Sequence, residues 1–454
     1  MKISNTNILF LSYLFIFAAN SSIAQTNIQL PDSSKKNEEL KNYNLHFQST
    51  YIYQYQPAFG AKYSGVNSLK TAEGKENSIT GTIYFGIKLW KGTEIYINPE
   101  IAGGSGLSGA YGLAASSNGE TFRIGDPAPT LYLARGLFTQ TFAIGNHETS
   151  FVDEGVNELG GNKYNNFIKF SIGKMSLGDI FDNNAYSNSP RTQFLNWCLM
   201  NNGAWDYAAN LRGYTYAFAT ILQQGSMAYK FAIATLPVVA NGLDLNTNLN
   251  EEYSLNAEIS KSYSIWTKRK GNLRILGYYN NGHMGNYNQA MQHIDSTGIP
   301  NIINTRQYGR TKTGIGASFD QQISNNTGIF ARAGYNDGNN ETWAFTEADR
   351  TLSAGIAING TSWHHKEDIL SLAIVTNGLS EPHRTYLEKG GLGFQLGDGK
   401  LSYANETVIE LNYNFKPLST GIWFTYDYQL VLNPGYNADR GPVNVFSLRV
   451  HVEI

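Results

Sequence analysis

Along run after run of this chain every second residue is apolar, and that two-residue period restricts its fold more than any other feature. In residues 79–90, Ile79, Ile83, Phe85, Ile87 and Leu89 share one face, with Thr80, Thr82, Tyr84 and Lys88 on the other. In 407–415, Ile409, Leu411, Tyr413 and Phe415 alternate with Val408, Glu410, Asn412 and Asn414. Residues 422–432 and 446–454 repeat the pattern, the latter setting Phe446, Leu448, Val450, Val452 and Ile454 against Ser447, Arg449, His451 and Glu453. Successive side chains of a strand point to opposite faces, so these runs read as strands with one oily side and one wet side. A soluble sandwich also buries one face of each strand, so alternation alone does not place them in a membrane.

The number and spacing of the strands discriminate further. About sixteen such runs begin near Tyr43, Ile79, Glu94, Thr130, Asn165, Leu211, Met227, Glu252, Asn272, Gln307, Gly328, Arg350, Glu367, Asn405, Ser419 and Val443, and an even number suits a bacterial outer-membrane barrel. Connections after even strands are short, as at Lys91-Gly92 and Gln224-Gly225, whereas those after odd strands are mostly long, as at 56–77, 103–129, 282–306 and 378–404. Short turns at one rim and long loops at the other are the layout of such a barrel, and a sandwich gives no reason for that parity. The expected fold is therefore all-β: a transmembrane antiparallel barrel of about sixteen strands with long extracellular loops. The connection 145–164 breaks the rule, being long where a periplasmic turn belongs, and is expected to hold a short helix.

Composition agrees with a wall of strands. Charged residues make up 15% of the chain, and Gly (46) and Tyr (29) are abundant while Pro (12) is scarce; proline removes a ladder donor. No stretch after the N-terminal region has the length and apolarity of a spanning helix, which needs roughly 20 residues. The N-terminus itself, with Lys2, an apolar run over 8–19 and the small-residue exit before Gln25, reads as a signal peptide over 1–24. A short polar segment over 25–42 follows, and then the barrel over 43–454. Cys198 is alone, so no internal disulfide forms, and it is expected to be buried. A formal charge of -2 argues against nucleic-acid partners and against a pore of strongly single sign.

The wet faces would line a lumen. They carry Lys88, Arg274, Arg310, Lys312, Arg332 and Arg449 against Glu100, Glu258, Glu406, Glu410, Asp427 and Glu453. An anion pore would favour the first set and a cation pore the second, so similar numbers point to a polar, uncharged solute. The stretch 176–210 between the fifth and sixth strands concentrates Asp179, Asp182, Tyr186, Arg191, Trp197, Trp205, Asp206 and Tyr207. Loops of that length without regular structure are uncommon and usually functional, and this one is expected to fold inward and constrict the pore. Sugars suit such a mixture, because their C–H faces pack on aromatic rings while their hydroxyls need fixed partners. The tryptophans admit two readings on equal terms: ring platforms for a solute, or a small core of the loop formed by Phe194, Leu195, Trp197 and Leu199 with Trp205 as an anchor.

The stretches KMSLGDIFDNNAYSNSPRTQFLNW and NGAWDYAANLRGYTY, with FRIGDPAPTLYLARG and the ending GPVNVFSLRVHVEI, resemble the OprB family of carbohydrate-selective porins, with similarity running with gaps from about Tyr43 onward. The resemblance implies a sixteen-stranded barrel passing glucose and related sugars, with an inward loop and basic side chains at the constriction. The last residue, Ile454, stands where the family usually has Phe. Expected partners are small neutral sugars, outer-membrane lipid and the barrel-assembly machinery; no cofactor or metal is expected, and an apolar outer face leaves oligomeric state open. The rivals are a general porin, a plugged structural barrel and a barrel enzyme. Against the enzyme stands the absence of G-x-S-x-G, H-E-x-x-H and P-loop motifs; His364 and His365 fall in a turn, where solvated or structural roles outweigh metal binding.

Overall fold

The computed structural model describes residues 42–121, 126–266, 268–294, 296, 298–417 and 421–454. The segments read as signal peptide and polar leader lie outside the described residues, apart from Asn42. The alternating runs form sixteen barrel strands: β1 (Tyr43–Gln56), β2 (Gly74–Trp90), β3 (Thr93–Gly104), β4 (Asp126–Ala143), β5 (Phe167–Met175), β6 (Thr215–Gln224), β7 (Met227–Ala234), β8 (Tyr253–Ile265), β9 (Arg269–Met284), β10 (Gln307–Gln322), β11 (Thr327–Asn336), β12 (Arg350–Asn359), β13 (Ile369–Gly378), β14 (Glu406–Phe415), β15 (Ile422–Leu432) and β16 (Val443–Glu453). Each pairs antiparallel with its chain neighbours, and β1 pairs with β16 from Gln48↔Glu453 to Tyr55↔Phe446, closing the barrel. Phe47 and Ile454 extend that seam by exchanging backbone hydrogen bonds of 2.9 Å each way.

The register puts polar side chains inside and apolar ones outside. In β1, Asn44, His46, Gln48, Thr50 and Gln54 are buried while Tyr43, Leu45 and Tyr51 are exposed. Ile83, Leu131, Ile172, Ile259, Ile315, Leu372 and Leu411 are likewise exposed on the outer wall. A water-soluble protein would reverse this, so the outer face requires a lipid surround. Aromatic side chains gather towards both ends of the strands, with Trp90 near Phe138 and Phe415 near Phe424 at one rim, and Tyr253 near Tyr279 at the other, as the two interfacial girdles of a membrane barrel require.

Connection length follows strand parity. After even strands the chain turns within 91–92, 225–226, 266–268, 323–326, 360–368 and 416–421. Gly92 (φ 80°) and Gly225 (φ 56°) supply the left-handed backbone that two-residue hairpins demand. At the opposite rim the odd-strand loops fold together over the mouth. Tyr287 and Ala290 of helix α1 (Tyr287–Gln292) pack with Tyr386 and Leu387 of helix α2 (Glu381–Glu388) and with Ile302, Leu396 and Tyr436. The exception at 145–164 is not helical. Its arms, Thr149–Val152 and Gly161–Tyr164, pair as a small β-ribbon of their own; four-residue arms are too short to show a period, and the Gly160-Gly161 pair favours a turn over a helix.

Candidate functional site

The loop 176–214 enters the barrel and is held there from several sides of the wall. Arg332 on β11, 1% exposed, is its main anchor. Its Nε donates to Asp182 Oδ1 at 3.0 Å, Nη1 to the Leu199 carbonyl at 2.8 Å, and Nη2 to the Asp182 carbonyl at 3.2 Å and to the Ser187 carbonyl. Glu258 on β8 accepts the Asp182 amide at 2.7 Å and is paired with Lys230 at 2.7 Å. Glu410 on β14 accepts the amides of Leu195 at 2.5 Å and Asn196 at 3.0 Å, and Arg449 on β16 donates to the carbonyls of Pro190 and Gln193 at 2.7 Å each. A loop of irregular backbone leaves many groups without ladder partners; charged wall residues satisfy them here, at the strength of charge-assisted bonds.

These positions revise part of the sequence reading. Arg332, Glu258, Glu410, Asp427 and Arg274 do point inward, but they are covered, Arg332 and Glu410 by the loop they hold and Arg274 by its ion pair with Asp320 at 2.5 Å. Arg310 is half-buried near the long-loop rim and donates to Gln289. Within the loop, Asp182, Trp205 and Asp206 are enclosed and build its fold. Asp206 accepts the amides of Trp343, Ala344 and Phe345 at 2.8–2.9 Å, and the Trp205 indole donates to Asn256 at 2.9 Å. Trp197 stacks on Phe345 with centroids 5.5 Å apart, and Cys198 is buried beside it. Tyr186 packs over Gly328 of β11, where any Cβ would strike its ring.

Arg191, Trp197 and Tyr207 are largely covered too, yet each keeps a surface on empty space. With Glu100, Glu120, Tyr132, Arg212 and Tyr214 they line a cavity of about 90 Å³ between the loop and the wall formed by β2, β3 and β4. Arg191 reaches across it, its Nη2 2.9 Å from Glu100 Oε2 and its Nε 3.0 Å from Glu120 Oε2, with Nη1 donating to Thr82 at 3.0 Å and Tyr84 at 2.8 Å. Alongside, Arg135 grips Asp179 through two bonds of 2.7 Å and lies 5.2 Å from the Tyr214 ring, while Arg212 sits 4.0 Å from the centroid of the Tyr132 ring. Three guanidinium groups thus face three carboxylates around two tyrosine rings. Sequence reasoning assigned Arg191, Asp179 and Glu100 to the lumen but passed over Glu120, Tyr132, Arg135, Arg212 and Tyr214. The last four lie in the motifs TLYLARG and NLRGYTY, where they bracket strand ends rather than a recognisable site.

The cap over the long-loop rim has its own polar lock. Buried Asp349 accepts from His383 Nδ1 at 2.9 Å and from the Ser380 amide at 3.0 Å, and Lys312 Nζ lies 3.2 Å away. Burial alone would raise its pKa, yet Lys312 and then His383 hold the carboxyl well below the ordinary carboxylate range. A depressed folded-state pKa contributes stability that is present above the ordinary value and lost only as pH falls through the lowered one. The lock therefore persists through neutral and mildly acidic conditions. Asp349→Asn is expected to weaken it by about 2 kcal/mol, read as faster amide hydrogen exchange in 380–388 at neutral pH; unchanged protection there would contradict this role.

Comparison with known proteins agrees with this architecture. No curated protein sequence matches the chain. Among solved structures, the high-pH form of OprB from Pseudomonas putida is similar with a TM-score of 0.69 at 14% identity, covering 91% of this chain and 94% of that one. The low-pH form gives 0.50 at 10% identity, covering 91% and 93%. At such identities the likeness speaks for the fold. The model of the carbohydrate-selective porin family OprB matches residues 86–454. A closed sixteen-stranded barrel with an oily outer wall, an inward loop and this family match over most of its length make the chain a member of the OprB family of outer-membrane carbohydrate-selective porins.

Proposed function

We propose that this porin passes small neutral, glucose-like sugars by diffusion, and that the narrow site around Arg191 selects them. The observation that carries the reading is the balance of charge beside Tyr132 and Tyr214: Arg191 and Arg212 against Glu100 and Glu120 in the cavity lining, with the Arg135–Asp179 pair next to it. With no excess of either sign, neither anions nor cations gain from the site. A sugar gains twice, since hydroxyls can exchange hydrogen bonds with charged groups while a ring face lies on tyrosine. Binding must stay weak for flux, and several modest contacts achieve that better than one deep pocket. In this reading Arg191, Trp197 and Tyr207 meet the solute, and Asp179, Asp182, Tyr186, Trp205 and Asp206 set the loop that presents them. Arg310 lies on the approach, while Arg274, Arg332, Glu258, Glu410 and Asp427 keep the lumen's shape. Export by cleavage after Ala24, and insertion by the barrel-assembly machinery, belong to the same proposal.

Proteoliposome swelling tests it. Glucose is expected to enter faster than amino acids or anions of similar size. Equal rates would leave a general porin and defeat sugar selection.

A further inference from the structure

The six other connections at the short-turn rim span nine residues or fewer, yet 144–166 runs inward. Its tip is fixed to the inner face of β1 and β3. Asn44 Nδ2 donates to the carbonyls of Gly155 at 3.1 Å and Glu158 at 3.0 Å, and Asn98 Nδ2 donates to Asn157 Oδ1 at 2.9 Å. Lys163 Nζ lies 2.5 Å from Glu94 and 3.1 Å from Glu158, and His46 Nε2 lies 3.3 Å from Glu154. Leu159 is buried, its amide 3.3 Å from the Tyr96 hydroxyl. Gly86 on β2 leaves the room this needs, since a Cβ there would press on Asn44 and Tyr96.

The wall residues involved all face the lumen, and their position along it is the telling point. Asn98 and Glu100 are successive inward positions on β3, about 7 Å apart. Asn98 holds the hairpin tip, and Glu100 holds Arg191 of the inward loop. One stretch of wall is thus flanked by a loop from one rim and a hairpin from the other. The hairpin is also acidic: Glu148, Asp153, Glu154 and Glu158 stand against Lys163.

We propose that hairpin 144–166 is a second filter at the periplasmic exit, which narrows the pore below the Arg191 site and disfavours anionic solutes. It rests on the channel reading and not on the sugar preference. Ile144 and Asn166 remain hydrogen-bonded as the wall ends, and Ala143 pairs with Phe167, so residues 145–165 can be replaced by a two-residue Asn-Gly turn of the kind used elsewhere at this rim. Two restrictions in series add their resistances, so removing one of comparable size should raise single-channel conductance in potassium chloride by about twofold. A second variant keeps the hairpin and its backbone contacts but removes charge: Asp153→Asn, Glu154→Gln and Glu158→Gln together. Under a salt gradient its reversal potential should move towards anion permeation. Conductance unchanged in the first variant, or a reversal potential unchanged in the second, would overturn the filter. If glucose shows no advantage in swelling while both variants behave as expected, the sugar reading fails and the exit filter stands.

Discussion

Arg332→Ala is expected to leave the barrel assembled and to raise its conductance severalfold while abolishing any preference among solutes. The buried guanidinium satisfies Asp182 and the carbonyls of Leu199 and Ser187. Removing it strands a carboxylate that is 2% exposed, and breaking a buried pair from one side costs about 3–5 kcal/mol. The strand ladder loses nothing, since β10 and β12 pair with β11 through backbone groups. The energy is therefore drawn from the loop's attachment, and water can replace the lost partner only if the loop moves away. Planar bilayer recordings check this, with the heat-modifiable mobility of the folded barrel as the control. A folded variant that conducts like the parent would show that Glu258, Glu410 and Arg449 hold the loop without it.

Arg191→Ala acts on charge rather than on shape. Glu100 and Glu120, with side chains 3% and 9% exposed, lose the cation between them. The surroundings of the cavity lose one positive charge, and the pore should become cation-selective by several-fold, more so at low ionic strength where screening is weak. Glucose flux should fall relative to that of small cations. Arg191→Lys restores the charge without the planar fork that spans both carboxylates, so it should recover ion selectivity better than sugar flux. A reversal potential indifferent to both substitutions would remove Arg191 from the conduction path.

The wall was legible because its period is local. Expected strand starts at Tyr43, Met227, Gln307, Arg350 and Val443 coincide with the strands themselves, since each run of alternating residues carries its own evidence of which side is oily. The interior was not legible in that way. Arg332 meets Asp182 across 150 positions and Arg191 meets Glu100 across 91, and nothing in either neighbourhood names its partner. Polar inward residues look alike whether they face water or a folded loop, which is why Glu410 and Arg332 read as pore lining. Trp197 and Trp205 could serve a solute or a core on sequence grounds; Trp205 is enclosed beside Asn256, whereas Trp197 stacks on Phe345 and still borders the cavity, and both partners come from other parts of the chain. The periplasmic hairpin escaped for a related reason, because its arms hold four residues each and its docking surface lies on β1 and β3.

The seam between β1 and β16 bears on how the molecule can associate. Along that ladder the finished cylinder leaves no open seam between its first and last strands, so recruitment of a foreign strand by edge addition is closed there, and neighbours attach through side chains. During synthesis the reverse holds. The first strand must wait for the last, and over that interval both borders of a growing curved sheet stand ready to pair with other chains. The same eight-pair zipper that silences those borders in the mature wall therefore makes the interval before closure the moment of greatest hazard.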